Sequence, residues 1–119
     1  MTEPTKLSRD KILHGETTEV TVGCGHLYIT VNKCGDKPIE VFASLGKSGS
    51  CSKCQMEALT RCISTGLRYG IPAHEFHKQL QGIRCPDPSF SGGKDGKILS
   101  CPDAIAKVLG EYVKTETPT

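Results

Sequence analysis

The residues best suited to chemistry in this chain are its thiols. Seven cysteines stand among 119 residues, at positions 24, 34, 51, 54, 62, 85 and 101. The stretch "GKILSCPDAIAKVLG" (96–110) places Cys101 directly before a proline and an acid, at the start of an apolar helical run. Pro102 suits the first helical position and Asp103 the positive end of the helix dipole, which leaves Ser100 or Cys101 as the cap. Serine is common at a cap and cysteine is not. Cys51 has a comparable setting, because Ser52 and Gln55 form an S-x-x-Q capping box just after it. Both sulfurs therefore sit at positive helix ends, which favour the thiolate. Cys24 lies in "GCG" (23–25), where flanking glycines let the backbone approach whatever the sulfur contacts. Cys85 stands in the loop "GIRCPDPSFSGGKDG" (82–96) that leads back to Cys101.

Thiols on turns and helix starts can converge without spoiling a core. Four of them suit a tetrahedral zinc site or an iron–sulfur cluster. Cys51 and Cys54 make a single C-x-x-C with no second pair, so a site of Cys24, Cys51, Cys85 and Cys101 has to be assembled by the fold. The competing reading of that set is four inert structural thiols. Cys54 could replace one of the four or cycle with Cys51 as a dithiol, and His26, next but one to Cys24, is the alternative ligand or shield. Cys62 falls beside Leu59, Ile63 and Gly66 on one helix and is expected in the core, while Cys34 is expected as an exposed thiol in a hairpin turn.

"SLGKSGS" (44–50) follows a strand and opens a helix, as a phosphate loop does. A Walker loop needs glycine five residues before Gly46, where Val41 stands, so this is not one. The segment Gly46, Lys47, Ser48 and Gly49 could still hold an anion or nucleotide at a helix start, against the plainer reading of a tight turn. His74 and His77 share a helical face without an HExxH pattern and are expected on a solvated surface. No Ser/His/Asp set or paired carboxylates stand out, and no nucleophile has an identifiable base.

The totals narrow the classes. At 119 residues the chain is one small domain, too small for separate cofactor and substrate domains. A formal charge of +2 gives no case for nucleic acid. Aromatics are 5% of residues with no Trp, so the core is modest and aliphatic. A chain this size buries under roughly 70% of its unfolded surface, so a metal staple would add stability. No apolar run approaches the roughly 18 residues of a membrane span. The N-terminal residues lack a signal-type apolar run and the cysteine count is odd. A cytoplasmic protein with reduced thiols is the expectation.

The elements that must position these thiols follow from periodicity. Residues 1–15 read as a flexible arm, 16–114 as the domain and 115–119 as a disordered tail. Val20 and Val22, then Leu27, Ile29 and Val31, then Ile39, Val41 and Ala43 alternate with polar residues. They predict a three-stranded antiparallel meander turned at 23–25 and 33–38. Met56, Leu59, Ile63 and Leu67 predict a helix that Gly70 and Pro72 end. A short helix over 73–81 carries Phe76 and Leu80, and a last helix over 102–113 turns Ile105, Val108, Leu109 and Tyr112 inward. The fold class is α+β, one antiparallel sheet followed by two to three helices.

The blocks "RDKILHGETTEVTVGCGHLYITVN", "PIEVFASLGKSGSC", "QLQGIRCP" and "LSCPDAIAKVL" occur in the order expected of the TSCPD domain, and over about residues 9–110 the chain resembles that family. Its namesake motif reads Leu-Ser-Cys-Pro-Asp here, with Leu99 where the family has Thr. The family resembles the C-terminal module of adenosylcobalamin-dependent, class II ribonucleotide reductases and also occurs in stand-alone form. The resemblance implies cysteines at the positions of Cys24, Cys51, Cys85 and Cys101, the set already selected. Retaining all four strengthens the metal reading, zinc first and an iron–sulfur cluster second, and the resemblance implies a protein partner such as a reductase large chain. The reductase barrel has no room in this chain, so the expected role is an accessory or interaction domain that is not catalytic alone. Redox or electron transfer and nucleotide sensing are the alternatives.

Overall fold

The computed structural model describes residues 5–23, 25–45, 51–86, 88–89 and 97–113, with backbone alone for 51 and 52. The alternation read from the sequence becomes three strands: β1 (His14–Val22), β2 (Gly25–Cys34) and β3 (Lys37–Leu45), antiparallel in the order β1-β2-β3. β1 opens at His14, two residues inside the expected arm. Leu27, Ile29 and Val31 of the central strand are fully buried, as is Val41 of β3. The β2–β3 hairpin closes on the two residues Gly35 and Asp36. Gly35 has φ +64°, the left-handed value a first central turn residue takes where a side chain would strain. Ile39 is the extra residue of a bulge, since Asn32 pairs with Glu40 and Lys33 with Pro38. The bulge also gives Pro38 a tolerated place in a strand.

Three helices follow: α1 (Cys51–Arg68), α2 (Ala73–Leu80) and α3 (Cys101–Val113). α1 runs back along β3, and α2 packs on α3. On α1 the buried stripe is Met56, Thr60, Ile63 and Leu67, with Leu59 at its margin. The Thr60 hydroxyl donates to the Met56 carbonyl at 2.8 Å, which lets a polar residue sit in that stripe. Cys62 is exposed, not core. It lies about 100° round the helix from Ile63, on a flank the narrow stripe leaves outside. Ser64 hydrogen-bonds both the amide (2.9 Å) and the carbonyl (3.0 Å) of Val41, so one hydroxyl blunts the outer edge of β3.

α3 is the most buried helix, with Ala104, Ile105, Ala106 and Leu109 fully inside. At its far end the Tyr112 hydroxyl donates to Glu16 at 2.9 Å, and Lys33 lies over the Tyr112 ring. His77 of α2 corrects the solvated-face expectation. Its Nδ1 lies 2.6 Å from the Ala106 carbonyl, and its ring closes on Gly110 so tightly that an added Cβ would sit 2.9 Å from it. His74 is half exposed and pairs with Glu75. The segment ahead of β1 is tied down by two contacts: Arg9 grips Glu40, and Leu7 exchanges hydrogen bonds with Arg68.

Candidate functional site: the hub at the start of the last helix

The stretch from Leu99 to Asp103 is a hydrogen-bonding junction. Ser100 is the cap: its Oγ accepts the Asp103 amide at 3.1 Å and donates to the Ile83 carbonyl at 2.6 Å. Cys101 is therefore the first helical residue and Pro102 the second, one position later than the dipole argument set them. The proline still has no amide to waste there. Asp103, read as a partner of the helix dipole, is also buried, at 1% exposure. Its carboxylate accepts the Gly82 amide and the Leu99 amide, each at 2.9 Å, and lies 3.3 Å from the Lys107 ammonium. Burial alone pushes this carboxyl up. The two amides and Lys107 outweigh it, and the net shift is downward.

This junction sets the two thiols it contains. The Cys85 amide donates to the Leu99 carbonyl at 3.0 Å, and Ser89 and Ile98 exchange both backbone bonds at 2.7–2.8 Å. One isolated antiparallel bridge and one further backbone bond thus tie the loop to the approach of α3, and the bond from Cys85 reaches Leu99, two residues before Cys101. Cys85 is half-buried, Cys101 is buried, and both are free of disulfides. A soft divalent metal or a cluster iron needs just such reduced sulfurs on fixed backbone, so these two fit the donor chemistry.

The rest of the proposed set lies partly beyond view. Cys24 and the anion segment Gly46, Lys47, Ser48 and Gly49 are outside the described residues, and Cys51 is described only as the first residue of α1. Their flanks are placed. Leu27 pairs with both Val20 and Leu45, so the strand ends around Cys24 and the end of β3 leading to Cys51 share one end of the sheet. α3 carries Tyr112 near the other end, and Cys101, its first residue, lies about 16 Å back along the helix, at 1.5 Å per residue. His26 faces the outer side of the sheet, 3.3 Å from Glu19, on the opposite face from inward Leu27. Cys54 and Cys34 are exposed. Among the described residues no three His, Cys, Asp or Glu side chains gather as a metal site.

The sequence profile of the TSCPD domain matches residues 2–113. The chain belongs to the TSCPD domain family. It is 35% identical over 106 residues to a vitamin B12-dependent ribonucleotide reductase of Streptantibioticus cattleyicolor, covering 87% of this chain and 18% of that one. The reductase of the same description from Streptomyces clavuligerus matches at 35% over 106 residues, 11% of its length. That from Agrobacterium fabrum matches at 35% over 63 residues, 52% of this chain and 5% of its own. The TSCPD chain thus spans less than a fifth of the curated relatives it matches. No solved structure matches it.

The namesake Ser-Cys-Pro-Asp is then a structural signature with a clear physical basis, since serine caps the helix and aspartate gathers the amides of two preceding segments. Reading the cysteine alone missed the aspartate. The signal was present, because Ser100 and Asp103 have capping-box spacing. A second clue is the recurrence of Cys-Pro-Asp at 85–87, which singles out the same two thiols. Arg9, Asn32 and Glu40, which meet on the sheet, gave no local signal.

Proposed function

We propose that this TSCPD domain is an accessory or interaction module serving a ribonucleotide reductase-type enzyme, held in shape by a metal on Cys24, Cys51, Cys85 and Cys101. The observation that carries the reading is the backbone bond that ties Cys85 to Leu99, two residues before Cys101, in a chain similar along most of its length to a segment of vitamin B12-dependent reductases. Zinc is favoured. When bound it would supply folding energy to a small aliphatic core, and the chain's own residues would do the rest. Ser100 and Asp103 fix the first turn of α3, and the Leu99 carbonyl fixes Cys85. The partner is a reductase large chain, and the compartment is the cytoplasm, where thiols stay reduced.

The test is metal and acid-labile sulfide content of protein purified without oxygen, with its visible spectrum. One zinc per chain without colour supports the structural site. Iron with sulfide and a brown spectrum replaces it with a redox or electron-transfer role for the same thiols. No metal in wild type, and no change in Cys101→Ala, overturns the site. Co-purification with a reductase large chain tests the partner separately.

A further inference from the structure

A groove of about 710 Å³ runs between the outer side of β3 and α1, and none of its lining residues is a cysteine. Its helical wall carries Lys53, Glu57, Arg61 and Arg68, a span of fifteen residues and so about 22 Å. Its strand wall carries Phe42, which is 52% exposed, and Ala43. Among the described residues, formal charge on and beside the groove is unequal: Arg9, Lys53, Arg61 and Arg68 stand with Glu40 and Glu57, four cations to two carboxylates. The whole chain has a formal charge of only +2. The cations are spread along the groove and not gathered at one point.

The backbone adds a second feature. Val41 turns its amide and carbonyl away from β2 to Ser64, so in an antiparallel ladder Ala43, two residues on, turns its own the same way. Ser64 satisfies the first pair. The amide and carbonyl of Ala43 find no partner among the described residues, and Ala43 lines the groove. An exposed aromatic, an edge donor and acceptor, and cations strung along about 22 Å suit an extended chain of some six or seven residues at about 3.3 Å each. A compact anion would meet only one of those cations.

We propose that this groove receives an extended, acidic segment of a protein partner, which pairs with the β3 edge at Ala43, packs on Phe42 and sets its carboxylates against Lys53, Arg61 and Arg68. This goes beyond the thiol site and does not depend on a metal. The probe is a dye-labelled peptide of alternating Glu and Val, long enough to span the groove, titrated into the full chain. Its Lys–Val counterpart and ATP are the comparisons. The acidic peptide should bind saturably, weaken as salt rises, and shift the amide resonances of Phe42 and Ala43. Lys53→Glu with Arg61→Glu should weaken it at least about tenfold while the circular dichroism stays unchanged. Both side chains are on the helix surface, and Arg61 is 78% exposed. Ala43→Pro, which removes the edge amide, gives an independent loss.

No saturable binding, equal binding of the Lys–Val peptide, binding that survives the double reversal, or ATP shifting the groove resonances in the peptide's place overturns the proposal. Metal content is read on the same samples. Failure of the thiol site and failure of the groove are therefore separate results.

Discussion

Asp103 and Glu40 are both buried carboxylates, at 1% and 5% exposure, and both titrate below their ordinary range, yet they are held in opposite ways. Asp103 is held chiefly by backbone. The amides of Gly82 and Leu99 cannot swing aside, and they overcome a desolvation that acts the other way. Glu40 is held by side chains. Arg9 supplies two hydrogen bonds at 2.9 and 3.0 Å and is the largest cause of its shift, burial opposes it, and Asn32 adds a bond at 2.8 Å. Arg9 is itself 41% exposed and can be replaced by water. A carboxylate bound by backbone joins segments of chain, whereas one bound by a surface arginine clasps a strap. The difference shows why the acid of the namesake motif, and not the acid of the sheet, is the one that organises the domain.

Removing the backbone-bound acid should have the largest effect. Asp103→Ala leaves the part-buried amides of Gly82 and Leu99 without their acceptor and should cost about 2–3 kcal/mol in urea unfolding, at about one to three for each orphaned donor less what water recovers. Asp103→Asn should regain less than half, because its amide group faces one of the donors. A loss under about 1 kcal/mol for Asp103→Ala would break the comparison. Glu40→Gln should cost about 1–2 kcal/mol, since the amide keeps one acceptor for Asn32 or Arg9. Arg9→Ala should fall in the same direction and by less than Glu40→Gln.

Acid separates the two sites further. Each carboxyl titrates lower in the fold than in the unfolded chain, so the unfolded chain takes the proton first as pH falls. Their contribution is complete above about pH 5 and is lost below the ordinary carboxylate range near 4. Denaturation midpoints between pH 6 and 2 should therefore decline less steeply in Asp103→Asn and in Glu40→Gln than in wild type. An unchanged acid limb in both variants would remove the electrostatic account.

Much of this was legible in the sequence where one period repeats. The strand alternation fixed the buried faces of β2, and the apolar spacing on α3 placed Ile105, Val108, Leu109 and Tyr112 inside. Legibility stopped where a residue's role depends on a distant partner. Cys62 had the spacing of a core residue, yet a polar Thr60 occupies the stripe instead, because its hydroxyl is satisfied within its own helix. His77 looked solvated because only its own helix was in view, whereas α3 supplies the carbonyl and the glycine that hold it. Of the four thiols, local sequence marked each as lying on a turn or a helix start. It takes the backbone bonds from Cys85 to Leu99 and between Ser89 and Ile98 to tie the loop of Cys85 to the approach of α3.

Tyr112 supplies the weak end of the same series. Its hydroxyl donates a hydrogen bond to Glu16, and its phenol is pushed up to about 12, by burial first and by Glu16 second. Here the neutral form is the one the fold prefers, so the sign reverses. The stability is whole below pH 10 and is lost as the pH rises from 10 towards 12, where the unfolded chain releases its proton and the folded chain keeps it. Tyr112→Phe removes the bond but keeps the ring that fills the end of α3, and should cost about 0.5–1.5 kcal/mol at neutral pH. It should also flatten the alkaline decline while leaving the acid limb as in wild type. An ultraviolet titration should lose the phenol titrating near 12. A loss as large as that of Asp103→Ala would mean that the far end of α3, and not the Ser-Cys-Pro-Asp turn, is what docks the helix on the sheet.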